Sequence, residues 1–130
     1  MILLDTHVIV WLASDDPRLS KAATSAIAGE RKAERGLAIS DFTLYELAML
    51  FRKKQIALSA TIESFLSEVE THFVILPATA RACVRALDFP ATYPRDPADR
   101  IIGATALEEG LSLVTADTEI RDSRAIPTIW

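Results

Sequence analysis

Short, mostly apolar runs alternate along this chain with longer stretches in which apolar and polar residues mix. "MILL" (1–4), "LAIS" (37–40), "FVIL" (73–76), "LSLVT" (111–115) and "IPTIW" (126–130) each read as a short buried strand. "THVIVWLA" follows the first run at once and suits a helix that ends in the turn residues "DDPRLS". Ser20 is placed to cap a helix through "KAATSAIAGERKAE", which Gly36 terminates. Leu44, Leu47, Ala48, Leu50 and Phe51 recur at helical spacing between Phe42 and Lys54, and Ser59 opens a further helix through "ATIESFLSEVETH". A helix from Thr79 to Leu87 leads into "FPATYPRDP", where Pro90, Pro94 and Pro97 forbid long regular structure. "ADRIIGATALEEG" is then a helix closed by Gly110, and "ADTEIRDSR" is a short helix or turn.

Five apolar strands separated by helices predict the α/β class, because parallel strands need crossover connections that cover both faces of their sheet. The expected architecture is a three-layer α/β/α sandwich with a mostly parallel five-stranded sheet. With 130 residues, half of them hydrophobic, one domain spanning residues 1–130 can bury an adequate core. Ligands of such sheets bind beyond the carboxyl ends of the strands, where strand order reverses. Asp5 follows the first strand and Asp117 the fourth.

Each of these acids has an ordinary explanation. Asp5, Asp117 and Asp99, ahead of "RIIGATALEEG", could each cap a helix. Glu46 completes the capping-box pattern "TLYE" (43–46). The ensemble argues for chemistry, since all four stand at strand ends or in first helical turns. Carboxylates converging on one crevice repel each other and stay ionised only if a cation compensates. Oxygen donors alone suit Mg²⁺ or Mn²⁺, and no His/Cys cluster suits zinc. His72 reads as a helix-end hydrogen-bonding residue and His7 as a packed or hydrogen-bonded helix residue, neither as a ligand.

Composition narrows the picture. A net charge of −4 offers no broad attraction to nucleic acid, so any such contact is local or aided by cations. Cys83 is the only cysteine, which excludes an internal disulfide and fits a reducing compartment, making the cytoplasm the expected location. The first residues lack a basic segment, and no run approaches the ~20 apolar residues that cross a bilayer, so neither signal peptide nor membrane association is expected.

"LLDTHVIVWL", "SDFTLYELAML", "DPADRIIGATALEEGLSLVTAD" and the terminal "IPTIW" resemble, nearly end to end and in this order, the PIN-domain family, in particular VapC-like toxins of type II toxin–antitoxin systems. The resemblance carries the family's four acidic positions onto Asp5, Glu46, Asp99 and Asp117, as metal ligands and catalytic groups. Asp96 is an additional acid, read as a loop or capping residue with an auxiliary role as the alternative. Thr6 and Thr115 match hydroxyl positions that can orient carboxylates or water. The implied activity is Mg²⁺-dependent hydrolysis of RNA phosphodiesters, with Mn²⁺ able to substitute, leaving a 5′-phosphate and a 3′-hydroxyl.

Arg52, Lys53, Lys54, Arg95 and Arg100 are candidate contacts for the RNA backbone, although "RKK" equally suits a solvated helix end. Arg31, Lys32 and Arg35 read as surface. Trp11, Phe51, Phe65 and Trp130 read as core, and an exposed subset could serve a homodimer or a groove for a small cognate antitoxin, the partners the resemblance suggests. Two alternatives stand beside the toxin: a PIN nuclease of RNA processing, and a non-catalytic PIN-like interaction domain whose acids only cap helices. A response-regulator receiver would need an acidic pair after strand one, and an aspartyl phosphatase Asp-x-Asp, where this chain has "DTH".

Overall fold

The computed structural model describes residues 1–130. In chain order it holds β1 (Ile2–Leu4), α1 (Thr6–Ala13), α2 (Lys21–Lys32), β2 (Leu37–Ser40), α3 (Asp41–Arg52), α4 (Ile62–His72), β3 (Val74–Leu76), α5 (Ala80–Leu87), α6 (Pro97–Glu108), β4 (Leu113–Val114), α7 (Thr118–Ser123) and β5 (Thr128–Ile129). The strands form one sheet in the order β3-β2-β1-β4-β5. All four pairings are parallel. Chain order runs outward from β1 in both directions, so the reversal lies between β1 and β4.

Alternation along the strands sorts the side chains into two cores. Ile2 and Leu4 join Leu37, Ile39 and Val114 on one face, under Val8, Ile9, Ile27, Leu47, Phe65 and Val69 from α1 to α4. Leu3 and Leu113 point the other way, against Ile102 and Ala106 of α6, Ile120 of α7, and Tyr93 and Ile126. This is the expected three-layer sandwich. Helix α5 adds to the second face by packing Ala82 and Ala86 against Ala104 of α6, small residues that let the two helices approach closely. Arg81 and Arg85 of α5 both pair with Glu108 across the same contact.

Several element boundaries differ from the sequence reading. Helix α4 begins after Thr61, whose hydroxyl accepts from the Ser64 amide at 3.1 Å, so Ser59 is not its cap. Helix α3 begins at Asp41, because the Ser40 side chain already caps it by accepting from the Phe42 amide at 3.2 Å. The "TLYE" pattern is therefore inside the helix and is no capping box. Thr43 is buried there, with its hydroxyl unpartnered. Helix α2 stops at Lys32, ahead of Glu34 and Gly36, which both take positive φ. Strands β4 and β5 keep only the third and fourth residues of each five-residue run.

The aromatic residues pack as expected. Phe51 and Phe65 stack with ring centroids 5.6 Å apart, and these two and Trp130 join the first core or its margin, while Trp11 lies half-buried against Trp130 with ring centroids 5.7 Å apart. His72 hydrogen-bonds through Nδ1 to the Glu68 carbonyl at 2.8 Å. His7 is exposed in the first turn of α1, 6.1 Å from the Trp11 ring. No helix is long and apolar enough to cross a membrane.

Candidate active site

The central strands deliver two acids to one edge. The Asp5 amide still donates to the Val114 carbonyl at 3.0 Å, so this residue is fixed to the end of β4 although β1 has finished. Its Oδ1 accepts from the Thr6 amide at 2.8 Å, capping α1, and its Oδ2 accepts from the Thr115 hydroxyl at 2.6 Å. That hydroxyl oxygen accepts in turn from the Asp117 amide at 3.1 Å. Asp117 caps α7 through Oδ1, taking the Glu119 and Ile120 amides at 2.8 and 3.1 Å. Asp5 and Asp117 are thus caps and edge carboxylates at once; the two readings do not compete.

Glu46 reaches the same edge from α3. The Thr6 hydroxyl donates to its Oε1 at 2.6 Å and so ties α1 to α3. Thr6 serves both acids, with its amide on Asp5 and its hydroxyl on Glu46.

Asp99 corrects the sequence reading. Helix α6 starts at Pro97, and its cap is Asp96, whose Oδ2 accepts from the Asp99 amide at 3.1 Å. Proline is favoured at this first helical position, where a missing N–H costs nothing and the fixed φ suits the helix. Asp99 is therefore in the first turn, and its carboxylate has no capping duty. Its main-chain carbonyl accepts from the buried Tyr93 hydroxyl at 2.7 Å.

These acids feel one another. Burial pushes Asp99 up to about 7, and Asp5, Asp96, Asp117 and Glu46 push in the same direction. Asp5 is raised by burial, partly offset by the Thr115 hydroxyl and the Thr6 amide, while Asp117 adds to the rise. Glu46 is raised chiefly by burial, against the Thr6 hydrogen bond, with Asp5 and Asp96 reinforcing it. The mutual effects bring Asp5, Glu46, Asp96, Asp99 and Asp117 into one electrostatic cluster. No lysine or arginine forms an ion pair with any of them.

An all-carboxylate set without a basic partner has the chemistry of a hard divalent cation site. No three of these side chains are gathered tightly enough to hold an ion as they stand, so binding would draw them inward. The donors fit such an ion in kind.

The basic candidates divide. Arg52, Lys53, Lys54 and Arg95 are exposed and pair with no acid. Arg52 to Lys54 stand at the far end of α3, about 9 Å or more along the axis from Glu46. Arg100 is committed elsewhere, its Nη1 donating to the Ala86 carbonyl at the end of α5 at 2.9 Å and its guanidinium lying 6.0 Å from the Tyr93 ring. Arg35 and the Met1 ammonium both bind Glu30, away from the acids.

The profile of the PIN domain family matches residues 2–125. The chain belongs to the PIN domain family. It is 38% identical over 131 residues to Ribonuclease VapC22 of Mycobacterium tuberculosis (strain ATCC 25618 / H37Rv), covering 99% of this chain and 98% of that protein. Among solved structures, the fold is shared with VapBC2 from Rickettsia felis bound to a DNA fragment from their promoter (TM-score 0.70, 19% identity, 98% of this chain and 97% of that one). It is shared equally with a toxin–antitoxin complex from Klebsiella pneumoniae (TM-score 0.69, 24% identity, 100% and 97%).

Within this PIN domain, sequence reasoning missed Tyr93 and Gly103. A Cβ on Gly103 would overlap the Tyr93 hydroxyl oxygen, so the tyrosine can lie across α6 only because position 103 lacks a side chain. A glycine inside a helix costs about 1 kcal/mol relative to alanine, and that local cost is the one signal of a close approach that the sequence carries.

Proposed function

We propose that this PIN domain is a Mg²⁺-dependent endoribonuclease, the toxin of a type II toxin–antitoxin pair, acting in the cytoplasm. The observation that carries the reading is the cluster of Asp5, Glu46, Asp99 and Asp117 at one sheet edge, acidic throughout and unpaired with any base. The likeness to Ribonuclease VapC22 supports RNA as the substrate. The relation to a toxin–antitoxin complex supports the partner.

Asp5, Glu46, Asp99 and Asp117 would hold the ion, with Mn²⁺ able to replace Mg²⁺. When bound, it supplies the Lewis acidity that makes water nucleophilic near neutral pH and stabilises charge on a phosphodiester in hydrolysis. The protein's part is positional. Thr115 holds Asp5 and the Asp117 backbone in register, Thr6 does the same for Asp5 and Glu46, and Asp96 fixes the first turn that carries Asp99. Arg52, Lys53, Lys54 and Arg95 would engage RNA phosphates around the acidic centre, and the expected products carry 5′-phosphate and 3′-hydroxyl ends.

Two surfaces suit protein partners. A mostly apolar cavity of about 230 Å³ between α1, α2 and α4, lined by Ile9, Leu12, Phe65, Val69 and Phe73 together with Arg31, Glu68 and His72, is the candidate seat of an antitoxin segment. Tyr45 and Met49 of α3 and Val84 and Leu87 of α5 are exposed apolar residues suited to a homodimer contact.

The deciding experiment is cleavage of a structured RNA with Mg²⁺ or Mn²⁺, with EDTA, and with Asp5→Asn purified identically. Cleavage that requires the ion and is absent in the variant supports the nuclease. Equal activity of the two proteins would overturn it in favour of an interaction domain whose acids serve only as caps.

A further inference from the structure

We infer that Tyr93 is a positioning residue for Asp99, and that Gly103 is present to let it act. The proposal rests on the reading of the acidic cluster as a cation site. It is carried by three contacts that meet at one turn of α6.

Asp99 is held at both ends of its backbone by groups outside the regular helix. Its amide is taken by the Asp96 carboxylate at 3.1 Å, and its carbonyl receives the Tyr93 hydroxyl at 2.7 Å. The carbonyl already has a helical partner four residues on, the amide of Gly103. The Tyr93 bond is therefore not needed to satisfy it. What the additional bond fixes is the orientation of the first turn, which carries the Asp99 carboxylate within the electrostatic reach of Asp5, Glu46 and Asp117.

Tyr93 is itself immobilised. It is 1% exposed, it stacks on Phe89 with centroids 4.2 Å apart, and it belongs to the core beneath β1 and β4. Its ring crosses α6 at position 103, where a Cβ would overlap the hydroxyl oxygen and meet Cζ at 2.9 Å. Any residue other than glycine would lift the ring and withdraw the hydroxyl from Asp99. The same glycine weakens the helix intrinsically, so its place there follows from the tyrosine. Residues orienting a ligand in this way commonly change metal affinity by about ten- to a hundredfold when removed.

The test compares Tyr93→Phe, which keeps the ring and removes only the hydroxyl, with Ile126→Val, which trims the same core without touching Asp99. Mn²⁺ affinity is read by calorimetry, and backbone order in α6 by amide hydrogen exchange. Tyr93→Phe is expected to bind Mn²⁺ about tenfold more weakly, with faster exchange confined to the first turn of α6. Ile126→Val is expected to bind as wild type does. Gly103→Ala should reproduce the weakening, and should perturb the fold less when combined with Tyr93→Phe than alone. Wild-type affinity in Tyr93→Phe, or an equal loss in Ile126→Val, would overturn the proposal. If the wild-type protein bound no Mn²⁺, the cation reading itself would fail. The clamp would then stand on exchange alone, supported by a local increase in Tyr93→Phe and overturned by none.

Discussion

Thr115 Oγ1 lies 2.6 Å from Asp5 Oδ2, joining the ends of β4 and β1 on the two sides of the point where strand order reverses. The same oxygen accepts from the Asp117 amide. One buried hydroxyl therefore sets the relative position of two acids that arrive on different strands. Thr115→Val keeps the shape and leaves a buried carboxylate oxygen without its donor, at a cost of about 1–3 kcal/mol. Denaturant unfolding should register that loss. RNA cleavage should fall by roughly tenfold or more, as for other groups that orient a metal ligand, with Thr115→Ser restoring most of both.

The raised affinity of Asp99 for protons makes the metal-free fold sensitive to pH. Between about 4 and 7 the unfolded chain has lost this proton while the folded chain retains it, so the folded state binds more protons and its stability falls as pH rises. With screening of this half-buried group allowed for, the fall is about 1–2 kcal/mol across that window. Thermal melts in EDTA should show it. In Mn²⁺ the trend should reverse, because the ion binds the ionised form.

Asp99→Asn isolates the same repulsion. At a pH of about 7.5 without metal the variant should be about 1 kcal/mol more stable than wild type, since a like charge has been removed from the cluster. It should also gain nothing from added Mn²⁺ and cleave no RNA. A variant that is instead less stable in both conditions would place Asp99 in an ordinary structural role.

The basic residues should separate by what they touch. Replacing Arg52, Lys53, Lys54 and Arg95 by alanine should weaken RNA binding and flatten its salt dependence by about 0.7 in logarithmic slope for each phosphate no longer neutralised. Filter binding across a salt series measures this.

Arg100→Met should leave that slope unchanged. Its guanidinium serves the Ala86 carbonyl, and losing a charge-assisted hydrogen bond there should lower stability by about 1.5 kcal/mol, seen as a reduced unfolding midpoint.

The sheet and its acids are legible where a change of pattern coincides with a change of structure. Asp5 and Asp117 close or follow apolar runs, and the ends of those runs are the ends of the central strands. Asp99 looks like a cap only if its helix begins after Pro97. The preceding Asp96-Pro97 pair is the stronger start signal, a capping acid followed by proline in the first helical position. Glu46 resembles part of a capping box that Ser40 displaces, because the residue that ends β2 also begins α3. Tyr93 and Gly103 form a contact between a loop and a helix interior, and no periodicity encodes which loop residue will cross which turn. The commitment of Arg100 to α5 is hidden for the same reason: charge gives a residue's chemistry but not its neighbour.

Leu3 and Leu4, adjacent in β1, enter different cores on opposite sides of the sheet. A slip of one residue against β4 would exchange them, turning every side chain of the strand to the wrong face. It would also carry Asp5 about 3 Å along the strand, away from the Thr115 hydroxyl. Misalignment at the acidic edge is thus penalised by oil and water, and hydrophobic sorting acts as the proofreader of that edge's geometry.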